Sequence, residues 1–230
     1  MSFISEEIVH VKGNPKKLVI FLHGYIDSAS TLDKNLPMLI DKLDDVAIHI
    51  PEAPCECEIY SRKCQWYSMH RFDPDDERMR VKDFDKYVEI YNRMKPGLID
   101  SFNFLEEYIE ERLNMYGLTE KDLYVCGFSQ GATLAIFTAL RLRKKIAGCV
   151  SFSGILAPST YLMEKYKSKP DILLIHNQDD TIVRFEALEF SKTKLQEIGC
   201  KVETVIGRIG QHRLTEKGLK ATMEFISNKK

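Results

Sequence analysis

Apolar residues recur along this chain in two rhythms: short unbroken runs, and longer stretches with apolar positions three to four apart. The runs Lys17–Leu22, Val46–Ile50, Leu123–Cys126, Ile146–Phe152, Ile172–His176 and Val202–Ile206 read as strands buried on both faces. Residues 3–11 alternate only in part, which predicts an edge strand. Helical spacing predicts helices over about Ser30–Leu43, 83–94, 97–116, Ala132–Leu142, Val183–Ile198 and Thr215–Ile226, with a short polar helix near 159–168. Pro96-Gly97 parts the second helix from the third, whose apolar face carries Phe102, Leu105, Tyr108, Ile109 and Leu113. Residues 52–82 follow neither rhythm. They hold three cysteines, Trp66, Tyr67, Phe72 and the charged run Asp73–Arg78, a long excursion of the kind that in compact domains is functional or mobile.

Strand and helix alternate for most of the length. The fold class expected is α/β, a mostly parallel central sheet with helices on both faces, which places ligand sites at the carboxyl ends of the strands. No repeat, low-complexity segment or linker interrupts the pattern, so residues 1–230 are expected to form a single domain with the excursion at about 52–82 near its site.

Composition narrows the partners. The balance of 33 basic against 34 acidic residues argues against nucleic acid, which selects a basic excess. No apolar run approaches the roughly 20 residues that span a bilayer, so no transmembrane segment is expected. Met1–Lys17 lacks an uninterrupted hydrophobic signal core. Six cysteines fit a reducing, cytoplasmic setting as free thiols. Cys55, Cys57 and Cys64 lack the two-residue spacer and fourth ligand of a zinc site, so no metal is expected. Cys126 and Cys149 fall inside apolar runs as inert buried thiols.

The chemistry collects around Leu123–Gly131. A short apolar strand runs into Gly127-Phe128-Ser129-Gln130-Gly131 and then into a helical run. That is the context of a nucleophile elbow, in which a sharp turn lifts the serine hydroxyl clear of the sheet. Strand and helix pack so closely around it that side chains at 127 and 131 would clash. The helix N-terminus points its amides at whatever Ser129 attacks. A serine nucleophile needs a base, and the base an orienting acid. Asn177-Gln178-Asp179-Asp180 follows one predicted strand, and Gly207–His212 follows the last. Acid and histidine thus come in the order Ser129, Asp180 or Asp179, His212, each after a buried strand.

With these residues in view, the chain resembles the α/β-hydrolase superfamily, and within it the phospholipase/carboxylesterase family that includes acyl-protein thioesterases. The resemblance rests on Leu22-His23-Gly24-x-x-Asp27, Pro51-x-Ala53-Pro54, Gln65-Trp66-Tyr67-Ser68, Gly127–Gly131 and His176-x-x-x-Asp180-x-x-Val183, spread over about residues 18 to 215. It implies Ser129 as nucleophile, Asp180 rather than Asp179 as acid, His212 as base, and an oxyanion hole from the backbone amides of Tyr25 and Gln130. It implies hydrolysis of an acyl ester or thioester through an acyl-enzyme, with no cofactor. A serine peptidase or amidase of the same fold and a non-catalytic binding protein are the alternatives. Three positions depart from the family: Ile26 stands where a second glycine is usual, Asn177 where glycine follows the strand histidine, and Gln211 where a small residue precedes the histidine.

The remaining candidates carry bland readings beside the functional ones. His23 and His176 end buried strands and are expected to tie loops; His10, His49 and His70 lack a catalytic setting. Trp66, Tyr67 and Phe72 are either an acyl-binding wall or a satellite core under the excursion. The acidic run at 73–77 is expected to be a solvated face. An apolar lip around the site would serve a homodimer or a lipid surface equally.

Overall fold

The computed structural model describes residues 6–228. Among them a seven-stranded sheet runs in the order β1-β3-β2-β6-β7-β8-β9. Its strands are β1 (Glu7–Lys12), β2 (Lys17–Leu22), β3 (Val46–Pro51), β6 (Leu123–Phe128), β7 (Gly148–Phe152), β8 (Ile172–Asn177) and β9 (Val202–Gly207). All neighbours pair in parallel except β1, which runs antiparallel along β3 at the edge. Residues 3–5 of the expected edge strand lie outside the described residues.

The unbroken apolar runs have a simple cause: both faces of the sheet are covered. Leu18, Ile20 and Leu22 of β2 pack into one core, and the alternate residues Val19 and Phe21 into the other. The first core is closed by α3 (Phe84–Arg93), α4 (Lys95–Tyr116), α5 (Gln130–Arg141), α6 (Ser159–Lys165) and α7 (Glu186–Glu197). The second is closed by α1 (Ala29–Asp33), α2 (Pro37–Lys42) and α8 (Glu216–Ser227). No helix among the described residues is long and apolar enough to cross a membrane.

Several elements differ from expectation, each for a local reason. The helix expected over Ser30–Leu43 is two helices. Ser28 caps α1 by accepting from the Thr31 amide, and Pro37, which lacks an N–H and clashes with a preceding turn, opens α2 instead. The boundary between α3 and α4 falls at Met94, because Pro96 sits in the first turn of α4, where no amide is needed. The helix expected from Val183 begins at Glu186, since Ile182 and Val183 serve a turn described below. The excursion contains a hairpin, β4 (Cys55–Cys57) with β5 (Tyr60–Gln65), bridged through Cys64 to Asp27 in the loop after β2.

The acidic run is not a solvated face throughout. Asp73 is 2% exposed; its carboxylate accepts from the amides of Glu77 (2.7 Å) and Arg78 (3.3 Å) and from Arg78 Nη1 (2.6 Å). A short polar turn needs its amides satisfied when it packs against the core, and one aspartate does that here.

Candidate active site

Every loop that carries a suspect residue leaves the carboxyl end of a strand. Ser129 follows β6, Asp180 follows β8, His212 follows β9 and Tyr25 follows β2. The turn at Ser129 is sharp, with φ 55° and ψ −115°, and its amide is held by the Phe152 carbonyl at 2.8 Å. A non-glycine residue in this region is strained and persists only where its surroundings over-determine it. The flanking glycines are required by contact. A Cβ on Gly127 would lie 2.3 Å from the Gly131 carbonyl oxygen, and one on Gly131 would lie 2.3 Å from that of Leu22.

His212 bridges the other two residues. Its Nε2 lies 2.8 Å from Ser129 Oγ, and its Nδ1 lies 2.9 and 3.1 Å from the two Asp180 oxygens. The Asp180 carboxylate also accepts from the amides of Ile182 (2.9 Å) and Val183 (3.0 Å). Burial pushes this carboxyl up, but hydrogen bonds from His176 and His212 outweigh it and hold the group well below the usual carboxylate range. An ionised Asp180 fixes the imidazole proton on Nδ1, so Nε2 accepts from the serine hydroxyl. The ring leans on Phe128, centroids 4.7 Å apart.

Asp179 does a different job. Its carboxylate accepts from the Gly210 amide (3.0 and 3.2 Å) and the Gln211 amide (2.8 Å), tying the acid loop to the histidine loop. His176 donates from Nε2 to the Val183 carbonyl at 3.0 Å and steadies the acid turn. His23 accepts the Ala53 amide on Nε2 and bonds the Gly24 carbonyl through Nδ1, joining the ends of β2 and β3. His49 sits away from this site, between Glu7 and Tyr116.

The excursion is clamped by the residue after the serine. The Gln130 side chain accepts the Trp66 amide (2.9 Å) and donates to the Tyr67 carbonyl (2.8 Å). Trp66 is buried in the core with its indole donating to the His23 carbonyl, and Phe72 packs beside Gly97. Of the three aromatic candidates, Tyr67 lines the cavity at Ser129, together with Tyr25, Gln130 and Arg78. Larger clefts lie elsewhere, one along the C-terminal end of α4. Ile182 and Ile209 stand exposed on the rim loops.

Sequence reasoning missed the clamp of Gln130, the buried Asp73–Arg78 pair and the use made of Asn177. Asn177 Nδ2 donates to the carbonyls of Gln211 (2.9 Å) and Arg213 (3.1 Å), on either side of His212. All three departures from the family pattern frame the site: Ile26 and Gln211 lie on its loops, and Asn177 ends β8. Ile26 and Gln211 take the left-handed backbone a glycine would take, at φ 56° and 51°.

The model of the phospholipase/carboxylesterase family matches residues 4–230. Acyl-protein thioesterase 1 homolog 2 of Dictyostelium discoideum is 26% identical over 217 residues, 90% of each chain. Acyl-protein thioesterase 1 of Candida albicans is 24% identical over 93% of this chain and 92% of its own. Among solved structures, esterase PE8 superimposes with a TM-score of 0.84 at 26% identity over 98% of both chains. SOBER1 of Arabidopsis thaliana, at 21% identity and a TM-score of 0.74 over 93% of this chain and 98% of its own, shares the fold.

Proposed function

The chain belongs to the phospholipase/carboxylesterase family of α/β-hydrolase-fold enzymes that act on ester bonds, and from that premise we propose that it hydrolyses acyl esters or thioesters with Ser129 as nucleophile, His212 as base and Asp180 as orienting acid. The observation that carries the reading is the continuous chain of hydrogen bonds from Ser129 Oγ through both imidazole nitrogens to an ionised, buried carboxylate.

The chemistry follows from the protons. His212 Nε2 takes the hydroxyl proton as Ser129 Oγ bonds to the acyl carbon, and the carbonyl π pair moves onto oxygen. The backbone amides of Tyr25 and Gln130 receive that oxyanion, the second of them at the N-terminus of α5 where the helix dipole adds to its pull. The intermediate collapses, the bond to the alcohol or thiol breaks, and the leaving group takes the proton from Nε2. Water then repeats the sequence on the acyl-enzyme and returns Ser129. Asp180, fixed by the amides of Ile182 and Val183 and by His212 Nδ1, keeps the imidazole in one tautomer and stabilises its cation in each half. No step calls for a cofactor.

The six free thiols support a cytoplasmic setting, and the reading retains one α/β-hydrolase domain over 1–230. Turnover of p-nitrophenyl esters from acetyl to palmitoyl, on the wild type and Ser129→Ala side by side, tests the assignment. Activity lost in the variant supports it; equal activity in both removes Ser129 from its role.

A further inference from the structure

The cavity beside Ser129 is small, and its mostly apolar wall is interrupted by the polar groups of Tyr67, Arg78 and Thr133. Its volume is about 50 Å³, well below the roughly 300–1,000 Å³ of pockets that bury drug-sized ligands, which suits a small group. Arg78 and Tyr67 line it, with Tyr91, Thr133 and Met69. The Tyr67 hydroxyl is buried beside Thr133 and makes no hydrogen bond of good geometry among the described residues. Thr133 Oγ1 accepts from the Ile155 amide at 3.3 Å. A buried hydroxyl without a partner calls for an explanation, and here it lines the space next to the nucleophile.

Arg78 sharpens the picture. Its side chain is 11% exposed, and Nη1 meets Asp73 at 2.6 Å and Asp76 at 2.8 Å. A guanidinium carries five N–H donors in a planar fork, more than these contacts use. The two carboxylates offset its charge, so the pocket offers donors without an uncompensated cation. An alkyl chain would leave those donors stranded, and an anion would meet the Asp73–Asp76 pair behind them.

We propose that this cavity is an acyl pocket for a short acyl group bearing a neutral acceptor oxygen, of the 3-hydroxyacyl or 3-oxoacyl kind, held by the Tyr67 hydroxyl and the Arg78 guanidinium. The proposal rests on Ser129 being the nucleophile. A group of this size suits the small space, and its oxygen gives the Tyr67 hydroxyl a partner. A site built to hydrogen-bond a substrate oxygen discriminates strongly against the analogue lacking it, because its own groups are then left unpaired.

The test compares kcat/KM for N-acetylcysteamine thioesters carrying butyryl, 3-hydroxybutyryl, malonyl and palmitoyl groups, on the wild type and Tyr67→Phe, with thiol release followed by a chromogenic disulfide. Removing an unpaired hydroxyl leaves the fold intact, which a melting curve checks. The expected result is at least a tenfold preference for 3-hydroxybutyryl over butyryl that shrinks at least fivefold in Tyr67→Phe. Equal rates for the two, or a preference untouched by the substitution, overturn the proposal. Malonyl as the fastest substrate overturns the neutral-oxygen part in favour of charge recognition, and palmitoyl as the fastest overturns the short pocket. Labelling of Ser129 by a fluorophosphonate without turnover of any of the four overturns the pocket and leaves the nucleophile standing. Absence of labelling overturns both.

Discussion

Asn177 offers a sharp test of how the site is held, because deleting its side chain should damage turnover far more than stability. The residue ends β8 and is 2% exposed. Its Nδ2 holds the carbonyls of Gln211 and Arg213 at 2.9 and 3.1 Å, one on each side of His212. The side chain is packed between Gly207 and Gly210: a Cβ on either would fall 2.0 Å from Asn177 Oδ1 or 2.7 Å from Nδ2. Asn177→Ala removes two hydrogen bonds, about 1 kcal/mol each net. It also removes Oδ1, a buried acceptor without a hydrogen-bond partner among the described residues, whose loss returns about 1 kcal/mol. The net destabilisation is therefore about 1 kcal/mol, a fall in Tm of roughly 2–4 °C for a chain of this size.

The effect on turnover comes from geometry. Gln211 has φ 51°, a conformation that costs a non-glycine residue about 1–2 kcal/mol and needs outside restraint. Asp179 restrains the loop through amides at 210 and 211; Asn177 restrains it through carbonyls at 211 and 213. With one restraint gone, the cost at Gln211 is comparable to what remains, and the loop relaxes. A displacement of about 1 Å at His212 costs on the order of 10²-fold in rate. Steady-state kinetics on a p-nitrophenyl ester should show kcat down about 10²-fold with KM within about threefold, beside the small shift in a calorimetric melt. A variant that keeps kcat within twofold while melting lower would show that Asn177 only fills space, and the reasoning would fail.

Other expectations follow from the same geometry. Ser129→Ala should lower kcat by about 10⁴-fold or more, as losses within a triad do, while melting near the wild type; a fall under tenfold in the ester assay would dismiss the serine. Gly131→Ala should abolish activity and lower Tm, because the new methyl meets the backbone oxygens of Leu22 and His23 at 2.3 and 2.4 Å, and backbone cannot step aside. Native folding and turnover in that variant would contradict the close packing of β2 against α5. Stability should decline in acid through the cluster at the sheet edge. Burial holds His49 below its ordinary range in the folded state, so the unfolded chain binds the proton first and stability falls as pH drops below about 6.5. Glu7 is also held low: burial raises it, and Tyr108, His49 and Arg112 more than offset this, so its contribution is lost as pH falls below the ordinary carboxylate range. In His49→Gln, denaturation midpoints measured between pH 7 and 5 should depend on pH less steeply than in the wild type; an unchanged slope would remove His49 from the account.

The strands and the chemistry-bearing loops were legible because each is dictated by one strong local term. A strand covered on both faces must be apolar at every position, so β2, β3 and β8 announce themselves as unbroken runs. Gly127 and Gly131 mark an approach of backbone to backbone that admits no side chain, and the serine between them needs no further signal. Where two terms compete, the sequence was ambiguous. The periodicity of 30–43 suited one helix, and the single residue Pro37 outvoted it. In the excursion, Asp73 looked like any surface acid, because the amides and guanidinium that bury it gather only when the chain turns.

The three departures from the family pattern show the same logic at the site itself. Glycine at these positions would supply a left-handed backbone or empty space at no steric cost. Ile26 and Gln211 supply the backbone instead and are strained by it. That strain is tolerable only if neighbouring contacts fix each loop from both sides. For Gln211 the contacts are Asp179 and Asn177; for Ile26 they are the bridge from Asp27 to Cys64 and the Asp27 side chain, which accepts the Ser28 amide at 2.9 Å. The excursion therefore does more than wall the cavity. Through β5 and the Gln130 clamp it restrains the loop that carries the Tyr25 amide, so a substitution that loosens the hairpin should weaken the proposed oxyanion site without touching it. Asn177 follows the same rule from the other side: a larger residue became acceptable where glycine is usual because its amide took over the work of holding the histidine loop.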